Sequence, residues 1–246
     1  MSNVGYVVEG VVLASKPLGE KDRLITLMTS TRGLVRVSAR GGRSTGSKLA
    51  ALVLPFSRVE LQLWHGRSLD GIRGGEVLDS HRPLREDPEK IAHAYCVAEI
   101  AASLAQEGES DRPLYLLVAT TLTLIARANP DLALAFYCVR AVGVAGFFPL
   151  VENCANCGRD ADGGFLSFGA GELTCTECPR RPGAGAEVSA DLVHTILQLR
   201  DVHPRELPRW EVDPGQLRRV RELMLDYLEY HLGRAVNSRR FIDILA

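Results

Sequence analysis

The chain has 246 residues, 46% of them hydrophobic, and its 29 Lys and Arg against 30 Asp and Glu leave a formal net charge of −1. This composition excludes a disordered polymer and a protein that holds nucleic acid through overall positive charge. The length suits one large domain or two to three small ones, no apolar run is long enough to cross a bilayer, and the opening MSNVGYVVEGVV lacks the pattern of a secretion signal.

Residues 1–80 predict strands. YVVEGVVLAS, DRLITLMTS, GLVRVSARG, FSRVELQLWHG and GIRGGEVL are short, rich in β-branched residues and separated by Gly, Pro or polar turns. In the third, Val35, Val37 and Ala39 face one side while Arg36, Ser38 and Arg40 face the other. Five such strands with one buried face suit a small closed barrel. After His81 the pattern turns helical. Asp87-Pro88, Asn129-Pro130 and Asp213-Pro214 each pair an N-cap with a proline at the first helical position. Ile91, Tyr95, Ala98, Ala102 and Ala105 recur at helical spacing, and Leu114–Ala128, Leu132–Gly146, Val188–Arg200 and Gln216–Gly233 read as helices. Leu217, Val220, Met224 and Tyr227 form an apolar stripe. Arg180–Ala186 reads as a flexible connector.

A run of strands followed by a run of helices implies separate domains, so the expected class is α+β and multidomain. The boundaries are a barrel at 1–80, a helical part at 81–149, a cysteine motif at 150–180 and a second helical part at 181–246.

The cysteine motif is C-x2-C-x17-C-x2-C, formed by Cys154, Cys157, Cys175 and Cys178. The expected compartment is the cytoplasm, where paired cysteines more often hold metal than form disulfides. Two knuckles presenting four thiolates complete a tetrahedral zinc shell, with no open position for water or substrate. The insert, with Gly163-Gly164 and Gly169, can turn back as a hairpin. One structural zinc is therefore expected. Cys96 and Cys138 lie among apolar residues of predicted helices and are expected in the core.

Enzyme signatures are missing. The glycine-rich Gly41–Leu49 stretch lacks the Gly-Lys-Ser/Thr order of a phosphate loop, because Ser47 separates Gly46 from Lys48. His93 is followed by Ala-Tyr, not the pattern of a zinc deaminase. It reads as a packed or surface histidine, and the chain reads as a non-enzyme.

Arg32, Arg36, Arg40, Arg43 and Lys48 form a basic stretch with no acid between them. Set on a barrel strand and a glycine-rich loop, they would track a nucleic-acid backbone. Residues 1–80 hold only three Tyr, Phe or Trp residues: Tyr6, Phe56 and Trp64. Phe56 and Trp64 flank a strand, where they are candidates for the core, so base stacking is expected to be thin and electrostatics to dominate. Arg234, Arg239 and Arg240 make a second basic cluster near the end.

Taken in order, several of these stretches resemble the bacterial RecO recombination-mediator family. They are Leu18-Gly19-Glu20-Lys21-Asp22-Arg23, Gly33-Leu34, Ala39-Arg40-Gly41-Gly42-Arg43, Ser47-Lys48-Leu49, Pro55-Phe56-Ser57 and Val59-Glu60-Leu61. Phe147-Phe148-Pro149, Cys154-Ala155-Asn156-Cys157-Gly158, Tyr230-His231-Leu232-Gly233 and Ser238-Arg239-Arg240 continue the match. The resemblance implies an N-terminal oligonucleotide/oligosaccharide-binding (OB) barrel and an α-helical domain with an inserted four-cysteine, zinc-ribbon-like motif. It implies binding to single- and double-stranded DNA and annealing of complementary strands without ATP. It further implies cooperation with RecR in loading RecA onto DNA covered by single-strand-binding protein, whose C-terminal tail the helical domain would contact. The DNA contacts it suggests are Arg23, Arg36, Arg40, Arg43 and Lys48, with Arg239 and Arg240. Two other readings compete: a zinc-ribbon adaptor whose barrel binds protein or RNA, and an enzyme with an unrecognised site.

Overall fold

The computed structural model describes residues 5–43 and 49–245. The backbone divides into two compact units, Met1–Ala126 with Asn237–Ala246, and Arg127–Val236.

The first unit is built on five strands: β1 (Gly5–Leu18), β2 (Asp22–Thr29), β3 (Gly33–Ala39), β4 (Arg58–Trp64) and β5 (Asp70–Asp79). They close in the order β1-β2-β3-β5-β4. All neighbours are antiparallel except β3 and β5, which run parallel and pair Val37 with Asp70 and Ser38 with Gly71. Strict alternation sends Val8, Ile25, Leu27, Val37, Val59, Leu61 and Leu63 inward, and a 3-10 turn at Ala51–Val53 adds Leu52 and Val53 to the same core. The register of β1 against β2 shifts between Val12 and Ala14, a bulge that bends the long strand round the barrel.

Among the described residues, two that are not glycine take left-handed backbone, Phe56 (φ 70°) and His81 (φ 42°). They hold each other: His81 Nδ1 donates to the Phe56 carbonyl at 2.9 Å, and His81 Nε2 lies 3.0 Å from Thr123 Oγ1. Such strain costs roughly 1–3 kcal/mol per residue and persists where surroundings over-determine it.

Four helices complete this unit: α1 (Pro83–Glu86), α2 (Pro88–Leu104), α3 (Arg112–Arg127, its last residue in the other unit) and, after the second unit, α7 (Arg239–Leu245). Asp87 caps α2 as its sequence announces, accepting from Glu89 N at 2.9 Å. Of the face expected for this helix, only Ala98 is buried. Tyr95 and Ala102 are exposed, while Ala94, Val97, Ile100 and Ala101 are buried. An alanine-rich helix is apolar nearly all round, so its periodicity cannot choose a face. Glu99 on α2 receives Asn237 N at 3.0 Å, Ser238 N at 2.8 Å and Ser238 Oγ at 2.6 Å, which ties down the segment leading into α7. His93 is buried, its ring hydrogen-bonded to the Glu89 carbonyl, and Cys96 is in the core.

The second unit has α4 (Pro130–Val144), a three-stranded sheet of β6 (Gly163–Ser167), β7 (Glu172–Thr174) and β8 (Gly185–Ser189) in the order β7-β6-β8, then α5 (Ala190–Asp201) and α6 (Pro214–Leu232). Leu217, Val220, Met224 and Tyr227 are all buried, as their stripe predicts, and so is Cys138 on α4. Arg221 is buried too, and its charge is met by Asp131. The stretch 185–189 departs from expectation. It is strand, not connector and helix, because Val188 pairs with Gly164 as the inward residue of β8, and Ser189 caps α5 by accepting from Leu192 N at 3.3 Å.

Candidate metal centre and nucleic-acid face

The cysteine site grows from local backbone rules. Gly158 (φ 73°) ends the first knuckle in the left-handed region, and its N–H returns to the Cys154 carbonyl at 2.9 Å. The second knuckle closes similarly, with Cys178 N donating to the Cys175 carbonyl at 3.1 Å. β6 and β7 carry the chain out and back between them, and Asn156 Nδ2 ties the knuckles by donating to the Pro179 carbonyl at 3.0 Å. The four sulfurs all lie within 4.8 Å of one another, and Cys157 Sγ is 3.9 Å from Cys175 Sγ. Zinc–sulfur bonds of ~2.3 Å put tetrahedral sulfurs about 3.8 Å apart, so the cluster fits such an ion.

The electrostatics favour a cation as well. Backbone N–H groups, first that of Cys175 at 3.3 Å, lower the Cys154 thiol to about 6. Arg159, with Nε 3.4 Å from the sulfur, lowers Cys157. Cys178 is pushed up to about 12, chiefly by its hydrogen bond with Cys175. Sulfurs this close cannot all ionise unaided, and a divalent ion would supply the missing positive charge. Four thiolates would fill its shell, so the chemistry it would supply is a cross-link between the two cysteine knuckles at either end of the β6–β7 hairpin. Among the described residues this is the one group of three or more possible ligands close enough to hold an ion.

The predicted basic residues fare unequally. Arg40 and Arg43 are exposed. Arg43 reaches the β1–β2 turn, with its N–H on the Lys21 carbonyl at 3.1 Å and its guanidinium on the Gly19 carbonyl at 3.0 Å. Arg40 lies over the Trp64 ring, 5.0 Å from its centroid, where β4 turns into β5. Arg23 is half-buried and committed to β1, donating to Ser15 Oγ at 2.7 Å and to the Ser15 carbonyl at 2.9 Å. Arg36 is exposed but paired with Glu107 at 3.0 Å. Lys48 lies outside the described residues. Arg239 is half-buried and Arg240 exposed at the start of α7. The barrel thus gathers Arg40 and Arg43 beside the β1–β2 and β4–β5 turns, which line the binding groove of OB barrels.

Sequence reading counted Tyr6 among the barrel's few aromatic residues but passed over His65 and Asp70. Phe56 is fully buried as a core residue, but Trp64 is only half-buried. The tyrosine hydroxyl donates to Asp70, and the His65 ring stacks on Tyr6. Strand parity on β4 carried a signal for Trp64 alone, since Leu63 points inward and Trp64 therefore points out, whereas the Tyr6–Asp70 contact spans 64 residues and has no local signal.

Together the two sites define a multidomain α+β protein, with an OB barrel in one unit and a four-cysteine hairpin among helices in the other. Residues 1–81 match the family described as Recombination protein O N terminal, and residues 85–240 match Recombination protein O C terminal. The chain belongs to the RecO family. It is 31% identical over 241 residues to the DNA repair protein RecO of Moorella thermoacetica, covering 97% of this chain and 90% of that protein. It is 34% identical over 256 residues to the DNA repair protein RecO of Streptomyces griseus, covering 96% and 97%. Among the described residues no helix is long and apolar enough to cross a membrane.

Proposed function

We propose that this protein is a DNA-binding recombination mediator that anneals complementary single strands without ATP. Family membership supports the repair role. The observation that carries the DNA reading is the meeting of Arg40 and Arg43 with the two groove-lining turns of the barrel. Annealing requires two phosphate backbones to approach against their repulsion, and cationic side chains reduce that repulsion with no covalent step. Arg23, Arg36 and Lys48 are proposed to extend the face, with Arg239 and Arg240 adding to it. Zinc is the proposed ion at Cys154, Cys157, Cys175 and Cys178, with a structural task only.

The proposal includes work with RecR in loading RecA, a helical region that receives the C-terminal tail of single-strand-binding protein, action in the cytoplasm, and functional segments at 1–80, 81–149, 150–180 and 181–246. A strand-annealing time course with purified protein tests it. Acceleration that falls with salt and ignores ATP is expected. No acceleration over spontaneous pairing, or strict ATP dependence, defeats it.

One observation favours the adaptor reading: α7 exposes Phe241 (58%) and Ile244 (78%), which suits a protein partner. A salt series separates the two, because an adaptor would show no salt-sensitive complex with single-stranded DNA.

A further inference from the structure

A cation–π pair, Arg40 over Trp64, and a ring stack, His65 on Tyr6, stand where β4 turns into β5, and phosphate binding alone gives no reason for them. Trp64 is half-buried, with the Arg40 guanidinium 5.0 Å from its ring centroid. The indole packs against Gly71 of β5. A Cβ added there would stand 2.4 Å from the indole nitrogen, so only glycine lets the ring lie on the strand. The next residue, His65, stacks on Tyr6 with centroids 4.8 Å apart and planes 24° apart, and its side chain is 58% exposed.

Asp70 organises the second stack. It accepts from the Tyr6 hydroxyl and from Gly66 N at 3.1 Å, and it faces His65 Nδ1 at 3.3 Å. Burial works against its charge, but these partners outweigh burial and keep it below the usual carboxylate range. Both rings are therefore oriented before any ligand arrives, which lowers the ordering cost of binding one.

Pairs of arginine with an aromatic ring are common surface packing, and position distinguishes this one. The β4–β5 turn is one of the two loops that line the groove of an OB barrel. Cations suffice for phosphates, whereas exposed planar groups beside cations suit the π-faces of unpaired bases. Arginine serves both, because its guanidinium stacks as well as carries charge.

We infer that Arg40 on Trp64 and His65 on Tyr6 form a two-plate seat for unpaired nucleobases. This rests on the proposal that the barrel face binds single-stranded DNA. It strengthens the base-dependent component of a face whose stacking was expected to be thin, and it favours unpaired strands because a duplex hides the faces of its bases.

The test uses Trp210→Phe, which leaves Trp64 as the only tryptophan of the two in the chain. The full-length protein is titrated with an oligodeoxythymidylate and with an abasic strand of equal length and charge. The thymidylate strand should bind roughly tenfold tighter or more and quench Trp64 emission. The abasic strand should bind in a salt-sensitive manner without that quench. Trp64→Leu and His65→Ala should each narrow the preference, and His65→Ala removes an exposed side chain, so its effect is not one of unfolding. Equal affinity for both strands, or a preference that survives both substitutions, overturns the inference and leaves the DNA-face proposal standing. Binding of neither strand overturns both.

Discussion

The cysteine hairpin and the basic barrel face are built on opposite plans. The hairpin draws its four sulfurs from one 25-residue stretch, Cys154 to Cys178, and its sulfurs converge within 4.8 Å. The barrel face draws Tyr6, Trp64 and Asp70 from three strands, and Arg40 and Arg43 from the turn that follows β3. Its charges are also partly spent: Arg23 is bonded to Ser15, and Arg36 is paired with Glu107. A local site is legible as spacing. A dispersed one exists only once the strands have registered, and its net positive character depends on which cations fold-making bonds have already used.

The contrast breaks most sharply at the metal. Cys175→Ser should weaken binding of the one expected zinc and destabilise or locally unfold residues 150–180, since the closed four-thiolate shell loses a ligand and the second knuckle keeps only Cys178. Metal analysis and limited proteolysis read this directly. Metal-free wild-type protein purified without chelator would remove the basis of the claim. Annealing should fall only as far as the fold is lost.

The barrel face should respond differently. Replacing Arg40 and Arg43 together with Glu should weaken single-stranded DNA binding for all sequences while leaving zinc content unchanged. Each phosphate that is no longer neutralised should lower the salt slope by roughly 0.7. A double mutant binding as tightly as its parent at low salt would return these arginines to a merely solvated role.

A smaller effect should separate α7 from both regions. Burial opposes the charge of Glu99, but its bonds with Ser238 and Asn237 prevail and hold it below its ordinary value of 4.5. Because the folded value is depressed, the stabilisation is present above pH 4.5 and fades as pH falls through the folded value. Amide exchange across 237–245, taken relative to the unfolded-chain rate at each pH, should therefore quicken in acid. Glu99→Gln should quicken it at neutral pH by roughly 1 kcal/mol of opening free energy and flatten the pH response. Unchanged exchange in that variant would show that α7 is held by packing alone.

The smallest effect is expected at Arg36. An exposed ion pair contributes about 0–1 kcal/mol, so Arg36→Gln should barely move the melting temperature. It should also cost less DNA affinity than Arg40→Gln, because Glu107 already offsets the Arg36 charge. A loss equal to that of Arg40→Gln, measured side by side, would show that the pair opens on binding.

The amino-acid sequence by itself determined whatever depends on neighbours within a few residues. β-branched runs punctuated by turn residues announced the five barrel strands, Asp-Pro and Asn-Pro announced three helix starts, and the C-x2-C pairs announced the four-sulfur cluster. Each is a short-range matter of strand propensity, backbone donors at a helix end, or sulfurs on adjacent turns. The tertiary structure alone decided what depends on partners far along the chain. Val188 became strand because Gly164 lay open to pair with it, a choice its own neighbours do not encode. The buried side of α2 was set by what packs there, since alanines offer no preference. Trp64 lies on the outer wall of the barrel because Gly71 leaves room for it on the adjacent strand, and Arg40 covers the indole. Tyr6 and Asp70, 64 residues apart, meet only when the barrel closes. Long-range pairing is where hydrogen-bond partners and free volume are allocated, and neither can be read from a local pattern.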